Sequence, residues 1–197
     1  ILKFAETSFE GKFNSIMSDN VYDSYICDLV FEGLIANNHE AEIIPNLATW
    51  ELSEDHKTYT FTLKDGITFA DGTPLTTDDV LFTYMMIAHP NYTGPRLDAV
   101  SDYVGYEEYA AGTAETISGI NVIDEKTISF TFKTPSPANI EKFSYGILPR
   151  AYYEADTFEG FLANLDKPMG SGKMVVEQFE PGQMIMMRPN ENYWDKD

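Results

Sequence analysis

Along the first half of the chain the hydrophobic positions change period, and each change marks a predicted element. Leu2 to Phe4 is a short apolar run that predicts a strand, followed by a polar, glycine-containing stretch to about Ser18. Tyr22, Ile26, Leu29 and Val30 then fall at i, i+4, i+7 and i+8, the spacing of one helix face. Ser18, Asp19 or Asn20 can cap that helix, and Gly33 stands where a helix end favours a left-handed residue. From Asn37 the pattern turns to β. Ala48 to Leu52 predicts a strand, Ser53 to Lys57 a polar turn, and Tyr59, Phe61 and Leu63 alternate with Thr58, Thr60 and Thr62, giving one buried face and one wet face. The glycines of Lys64-Asp65-Gly66 and Asp71-Gly72 mark chain reversals.

Thr76-Thr77-Asp78-Asp79 reads as a capping box that opens an amphipathic helix through Val80, Leu81, Tyr84, Met85 and Ala88, closed by His89-Pro90. Residues 91–119 are rich in Tyr and acid and have no clean period, apart from a short helix between Tyr103 and Ala111. Ile120 to Val122 and Thr127 to Phe132 flank the turn Asp124-Glu125-Lys126 and predict a hairpin. Short helices follow around Tyr152 and from Phe158 to Leu165. A glycine-rich loop at Met169 to Gly172 then leads into two strands, Met174 to Phe179 and Met184 to Arg188, joined by Pro181-Gly182. The two ends of the chain share an α/β character and the middle looks inserted.

Composition narrows the function. With 197 residues, 43% of them hydrophobic, the chain can bury a substantial core. A formal charge of -19 repels phosphate backbones and anionic membrane surfaces, so nucleic acid is not an expected partner. The single cysteine, Cys27, permits no intrachain disulfide and sits in a helical pattern as a buried small hydrophobe. No apolar run is long enough to span a membrane. The chain begins without an initiator Met or an apolar leader, and reads as a segment of a longer protein whose signal or lipid anchor would leave no trace here.

Candidate chemistry is sparse. The 32 acidic residues invite a glycosidase reading, but most fall in turns and on polar helix faces, and no pair stands out as acid and nucleophile. No nucleophile elbow appears, and His39, His56 and His89 lie in separate polar contexts without metal-ligand spacing, so neither a metal nor a cofactor is expected. Gly170-Ser171-Gly172-Lys173 imitates the tail of a phosphate-binding loop but fails it at Lys167 and Met174. It is read as a tight helix-to-strand loop whose exposed backbone groups could meet an extended ligand. Tyr92, Tyr103, Tyr106 and Tyr109 could line a cleft or stack on sugars, and sheet packing is the more common use of such residues.

Between Leu47 and Met85 the residues match a known pattern. Leu47-Ala48-x-Trp50-Glu51-x-Ser53-x-Asp55, Tyr59-Thr60-Phe61-x-Leu63, and Gly66-x-x-Phe69-x-Asp71-Gly72-Thr73-Pro74-Leu75-Thr76-x-Asp78-Asp79-Val80 closely resemble the signature of solute-binding protein family 5, the oligopeptide- and dipeptide-binding group of ABC importers. Three more stretches resemble it in the same order: Tyr22-Asp23 through Phe31-Glu32-Gly33-Leu34, Gly170-x-Gly172 with Phe179-x-Pro181-Gly182, and Arg188-x-Asn190-x-x-Tyr193-Trp194. Lys173-Met174 departs from the usual Pro-aromatic pair, Ala70 replaces a frequent His, and members of the family continue well beyond the Tyr-Trp motif.

The resemblance implies a mixed α/β fold of the periplasmic-binding-protein type II kind. Residues 1–35 and 147–197 would form first-lobe segments and 36–146 an inserted β-rich subdomain, with the second lobe absent. It implies a binding protein without catalytic role, located in the periplasm or lipid-anchored on the outer face of a bacterial membrane. Such a protein is expected to be monomeric and to hand a peptide to ABC transporter permease subunits. Similar proteins carry nickel chelates, opines or oligosaccharides, and a carboxylate-based hydrolase module is the alternative from another class. Carried over by position, the implied ligand contacts are Asn20, Val21 and Tyr22 at the first helix and Gly170 and Ser171 in the glycine loop. These two groups are expected to converge on one face of a closing jaw.

Overall fold

The computed structural model describes the backbone of residues 2–3 and all of residues 9–195. Strand β1 (Leu2–Lys3) accounts for most of the first predicted strand; Phe4 and part of the polar stretch after it lie outside the described residues.

Helix α1 (Val21–Val30) begins where Asn20, in extended conformation, accepts the Asp23 N–H through its side chain at 2.9 Å. Ile26, Cys27 and Val30 turn inward. Asp23 is fully buried, and its carboxylate accepts the backbone N–H groups of Glu10 (3.0 Å) and Lys12 (2.8 Å), which ties the incoming loop to the helix. The helix stops three residues before Gly33, at an extended Phe31 with φ -117°. Gly33 is not left-handed as its position suggested. A Cβ there would lie 2.4 Å from the Ser144 carbonyl oxygen, so glycine is required by the close approach of two backbones.

After β2 (Ile35–Asn37) and β3 (Ile43–Pro45), which pair antiparallel, the chain enters a four-stranded antiparallel sheet. Its strands are β4 (Ala48–Leu52), β5 (Thr58–Leu63), β6 (Ile120–Val122) and β7 (Thr127–Thr131), in the order β4-β5-β7-β6. Tyr59, Phe61 and Leu63 are buried and Tyr59 pairs with Phe130 in register, as the alternation predicts. Gly66 and Gly72 adopt φ of 77° and 87° at the expected reversals.

Helix α2 (Thr77–Ala88) starts on the capping box, with Asp79 accepting the Thr76 backbone N–H at 2.9 Å. It covers the sheet with Val80, Tyr84 and Ile87, all fully buried, and burial of Val80 and Ile87 contributes roughly 1.5–3 kcal/mol each. Its polar inner face has a second task. The other oxygen of Asp79 accepts the Arg150 N–H at 2.8 Å, and the Thr83 hydroxyl accepts the Leu148 N–H at 2.9 Å. The segment that follows the sheet is thereby anchored to the helix.

Residues 91–119 hold a 3₁₀ turn (Leu97–Ala99) and α3 (Tyr106–Ala110). A second 3₁₀ stretch, Pro137–Phe143, runs under the sheet and delivers Phe143 to its centre, with rings of Phe61, Phe130 and Tyr59 at 4.5, 4.9 and 5.6 Å. Short helices α4 (Arg150–Tyr153) and α5 (Phe158–Leu162) precede the hairpin of β8 (Met174–Glu180) and β9 (Met184–Pro189). That hairpin takes β1 as its third strand, in the order β1-β9-β8, with Leu2 opposite Met187. The fold is mixed α/β, with an all-antiparallel pairing pattern among the described strands.

Candidate functional site

The helical spacing that buries Ile26 and Val30 places Ser24, Cys27, Asp28 and Phe31 along a neighbouring stripe of α1, and this stripe forms one wall of a cavity of about 280 Å³. The loop before the helix adds Ser15 and Ser18. Arg96 and the segment Ser144 to Gly146 stand opposite. Ser15 donates its hydroxyl hydrogen to the Gly146 carbonyl at 2.6 Å, and a Cβ at Gly146 would lie 2.3 Å from that of Phe31. The far wall therefore reaches α1 because position 146 has no side chain.

Arg96 is fixed through its backbone. The Tyr92 hydroxyl accepts the Arg96 N–H at 3.1 Å and donates to the Ile16 carbonyl at 2.5 Å, and burial pushes this tyrosine's pKa up to about 12. The Arg96 guanidinium lies over the Tyr145 ring at 5.2 Å, and its Nη2 reaches the Ser18 carbonyl at 3.5 Å. Burial raises the Asp28 carboxyl against the opposing pull of Arg96, and burial pushes the Cys27 thiol to about 12, with Asp28 and Asp23 adding to the effect. Beyond Tyr145 and Ser144 a second cavity of about 330 Å³ holds Asp98 and Glu141.

Asn20, Val21 and Tyr22 lie at the start of α1, beside this cavity. Asn20 is the cap, its carbonyl accepts hydroxyl hydrogens from Ser24 (2.9 Å) and Ser18 (3.4 Å), and Val21 is 54% exposed. Gly170 and Ser171 do not join them. The Gly172 N–H donates to the Val30 carbonyl at 2.8 Å, so the glycine loop backs onto the other end of α1, nine residues and roughly 13 Å from Val21 at 1.5 Å per residue. A Cβ at Gly170 would meet the Val30 carbonyl oxygen at 2.3 Å and the Phe31 ring at 2.6 Å. The loop thus presses on Phe31 from behind, while Phe31 lines the cavity from the front. The expected convergence fails because the loop's small residues are used for close packing and are buried.

Two of the recognised motifs do meet. Glu32 accepts the Tyr193 hydroxyl at 2.8 Å and the Trp194 indole N–H at 2.6 Å, while its backbone carbonyl accepts the Ile147 N–H at 2.9 Å. Glu32 thereby ties the end of α1 to the closing motif and to the chain leaving the cavity wall. Of the four clustered tyrosines, Tyr103 packs in the sheet core, fully buried, and Tyr92 serves the cavity through its hydroxyl. Sequence reading passed over Arg96, although it is the one cation among residues 91–119, surrounded by Asp98, Asp102, Glu107, Glu108 and Glu115.

The half-open cavity along α1, walled by two chain segments, is the candidate ligand site. The model of bacterial extracellular solute-binding proteins, family 5, matches residues 42–197, and the chain belongs to that family. The periplasmic murein peptide-binding protein MppA of Escherichia coli is 27% identical over 84% of the chain, and the oligopeptide-binding protein OppA of Lactococcus lactis subsp. cremoris is 34% identical over 74%. The chain spans 32% and 26% of the length of these two relatives. Among solved structures, the substrate-binding domain of an oligopeptide ABC transporter from Bacillus anthracis superposes with a TM-score of 0.86 at 21% identity, covering 98% of this chain and 38% of that one. Haemophilus influenzae OppA in complex with RPPGFSPFR gives 0.83 at 20% identity, with 95% and 38% covered. At these identities the two structures establish the fold. The relatives are binding proteins by name, and no helix among the described residues is long and apolar enough to cross a membrane.

Proposed function

We propose that this chain forms one wall of the ligand site in an extracellular substrate-binding component of an ABC importer, and that its ligand is a peptide. The observation that carries the reading is the uncovered cavity between α1 and the Arg96 and Tyr145 wall. A ligand lying there keeps one side in water until a second wall closes on it. The peptide reading draws support from the relatives MppA and OppA, whose names state murein peptide and oligopeptide binding. Asn20, Val21 and Tyr22 form the rim along which an extended backbone runs, and Gly170 and Ser171 act from behind by holding Phe31 in place. The division into lobe segments 1–35 and 147–197 around an insert 36–146 belongs to the same proposal. So do a monomeric state, permease subunits as partners, the absence of a catalytic role, and a periplasmic or lipid-anchored location.

Native mass spectrometry of the full-length protein purified from its own host tests the ligand class. A co-purifying peptide is expected; a bound sugar, opine or nickel chelate overturns the peptide assignment. Calorimetry on residues 1–197 beside the full-length protein tests the single-wall geometry. At least tenfold weaker binding by the shorter chain is expected, the cost of leaving about half the ligand surface solvated. Equal affinity contradicts it.

A further inference from the structure

The three arginines are placed unequally. Arg150 pairs with Glu154 at 2.8 Å and Arg188 with Glu177 at 3.4 Å, whereas among the described residues Arg96 has no ion-pair partner. In a chain with a formal charge of -19, carboxylates to pair it are plentiful elsewhere. The side chain is nonetheless held in one place. Tyr145 supports the guanidinium plane from one side, Nη2 touches the Ser18 carbonyl at 3.5 Å, and the buried Nε has no hydrogen-bond acceptor. A guanidinium carries five N–H donors in a rigid fork, and leaving them unused away from water is costly. This one lines the cavity with most of its donors unspent.

The second cavity adds two further acids. It shares Tyr145 and Ser144 with the first and is lined by Asp98, Glu141 and Lys142, whose ammonium lies over the Phe132 ring at 5.1 Å. Asp28, on the α1 side of the same cavity as Arg96, feels the Arg96 charge, which opposes the upward pull of burial on its carboxyl, but forms no ion pair with it among the described residues.

We propose that Arg96 is the specificity residue of the cleft: its open fork receives a carboxylate of the bound peptide, and a basic group of the same ligand lies beyond Tyr145 against Asp98 and Glu141. The inference rests on the peptide reading above. The carboxylate comes from the ligand's C-terminus or from an Asp or Glu side chain, both of which present the planar, two-oxygen acceptor that a guanidinium fork matches.

The test is titration calorimetry of the full-length protein with three pentapeptide pools: free-acid peptides of neutral side chains, the same peptides amidated, and amidated peptides carrying one Glu. The wild-type protein is expected to prefer the free-acid or the Glu-containing pool over the neutral amidated pool by roughly tenfold to a hundredfold, the range of a charge-assisted bidentate pair. Whichever of the two is preferred identifies the source of the carboxylate. Arg96→Gln is expected to collapse that ratio to within about threefold, and Arg96→Lys to keep part of it, because charge remains and the fork is lost. Asp98→Asn combined with Glu141→Gln is expected to weaken binding of a fourth pool, free-acid peptides with an N-terminal Lys, and to keep the carboxylate preference; unchanged binding of that pool overturns the placement of the basic group. An unchanged ratio in Arg96→Gln, with native circular dichroism, overturns the proposal. Failure of all pools to bind the wild-type protein sinks the peptide reading itself, and the Arg96 assignment with it.

Discussion

Phe143 offers the sharpest test of how the cleft wall is held. It is fully buried, and its ring lies 4.5 Å from Phe61, 4.9 Å from Phe130, 5.6 Å from Tyr59, 5.9 Å from Tyr84 and 6.0 Å from Phe132. The next three residues, Ser144 to Gly146, are the wall opposite α1. Replacing Phe143 by Ala removes a complete ring from a site enclosed by five others, which cannot all collapse into the gap. The cost is about 3–5 kcal/mol. With a urea m of about 2 kcal/mol/M, that lowers the unfolding midpoint by about 1.5–2.5 M. Phe143→Leu keeps most of the volume and loses only the ring geometry, for about 1.5 kcal/mol or less. Urea unfolding followed by far-ultraviolet circular dichroism and tyrosine fluorescence measures both. A midpoint loss under 0.5 M for the Ala variant, at unchanged m, would refute the view that this ring centres the core beneath the cleft.

Glu32→Ala should destabilise by about 2–4 kcal/mol, because it strands the Tyr193 hydroxyl and the Trp194 indole N–H, while Glu32→Gln, which keeps one acceptor, should cost less than half of that; thermal unfolding of the two variants checks the order. Cys27, with its thiol pushed to about 12 mainly by burial, should resist thiol reagents at pH 8, where about one molecule in ten thousand carries the thiolate; labelling of the native protein at the rate of free cysteine contradicts this. Hydrogen bonding or ion pairing holds the carboxyls of Asp55, Asp65, Asp124 and Glu154 below their ordinary values. Their folded pKa lies under the unfolded one, so they favour the folded state at neutral pH and lose that contribution as pH falls through the carboxylate range. Asp28, raised by burial, acts in the opposite direction and is alone in doing so among the shifted carboxyls described. The urea midpoint should therefore fall steadily from pH 5 to pH 3, less steeply in high salt since those four groups are exposed; a flat or rising midpoint defeats the reasoning.

Local chemistry was legible where one short stretch contains its own answer. The alternation of Tyr59, Phe61 and Leu63 names a buried face, Thr76 to Asp79 names a helix start, and Gly66 and Gly72 name reversals, because period, cap and positive φ are settled within a few residues. Gly33 misled for the converse reason: what fixes it is a carbonyl at Ser144, a neighbour in space alone. The glycine loop likewise reads as exposed backbone until Val30 and Phe31 are seen packed against it. The motifs at Glu32 and at Tyr193-Trp194 could each be recognised, but their joining depends on tertiary structure that no spacing encodes. Arg96 left one trace, a lone cation in an acidic stretch, and its lack of an ion-pair partner among the described residues depends on tertiary structure that the stretch does not encode.

The pairing of β1 with β9 sets an order on assembly. Leu2 finds its partner, Met187, only after almost the whole of this chain has been made, whereas the β4 to β7 sheet closes through two hairpins and the shorter span between β5 and β7. Loop closure over so long a span is the slowest kind of contact to form. The aromatic sheet should therefore be complete, and able to resist proteases, while the first strand is still waiting for its neighbour.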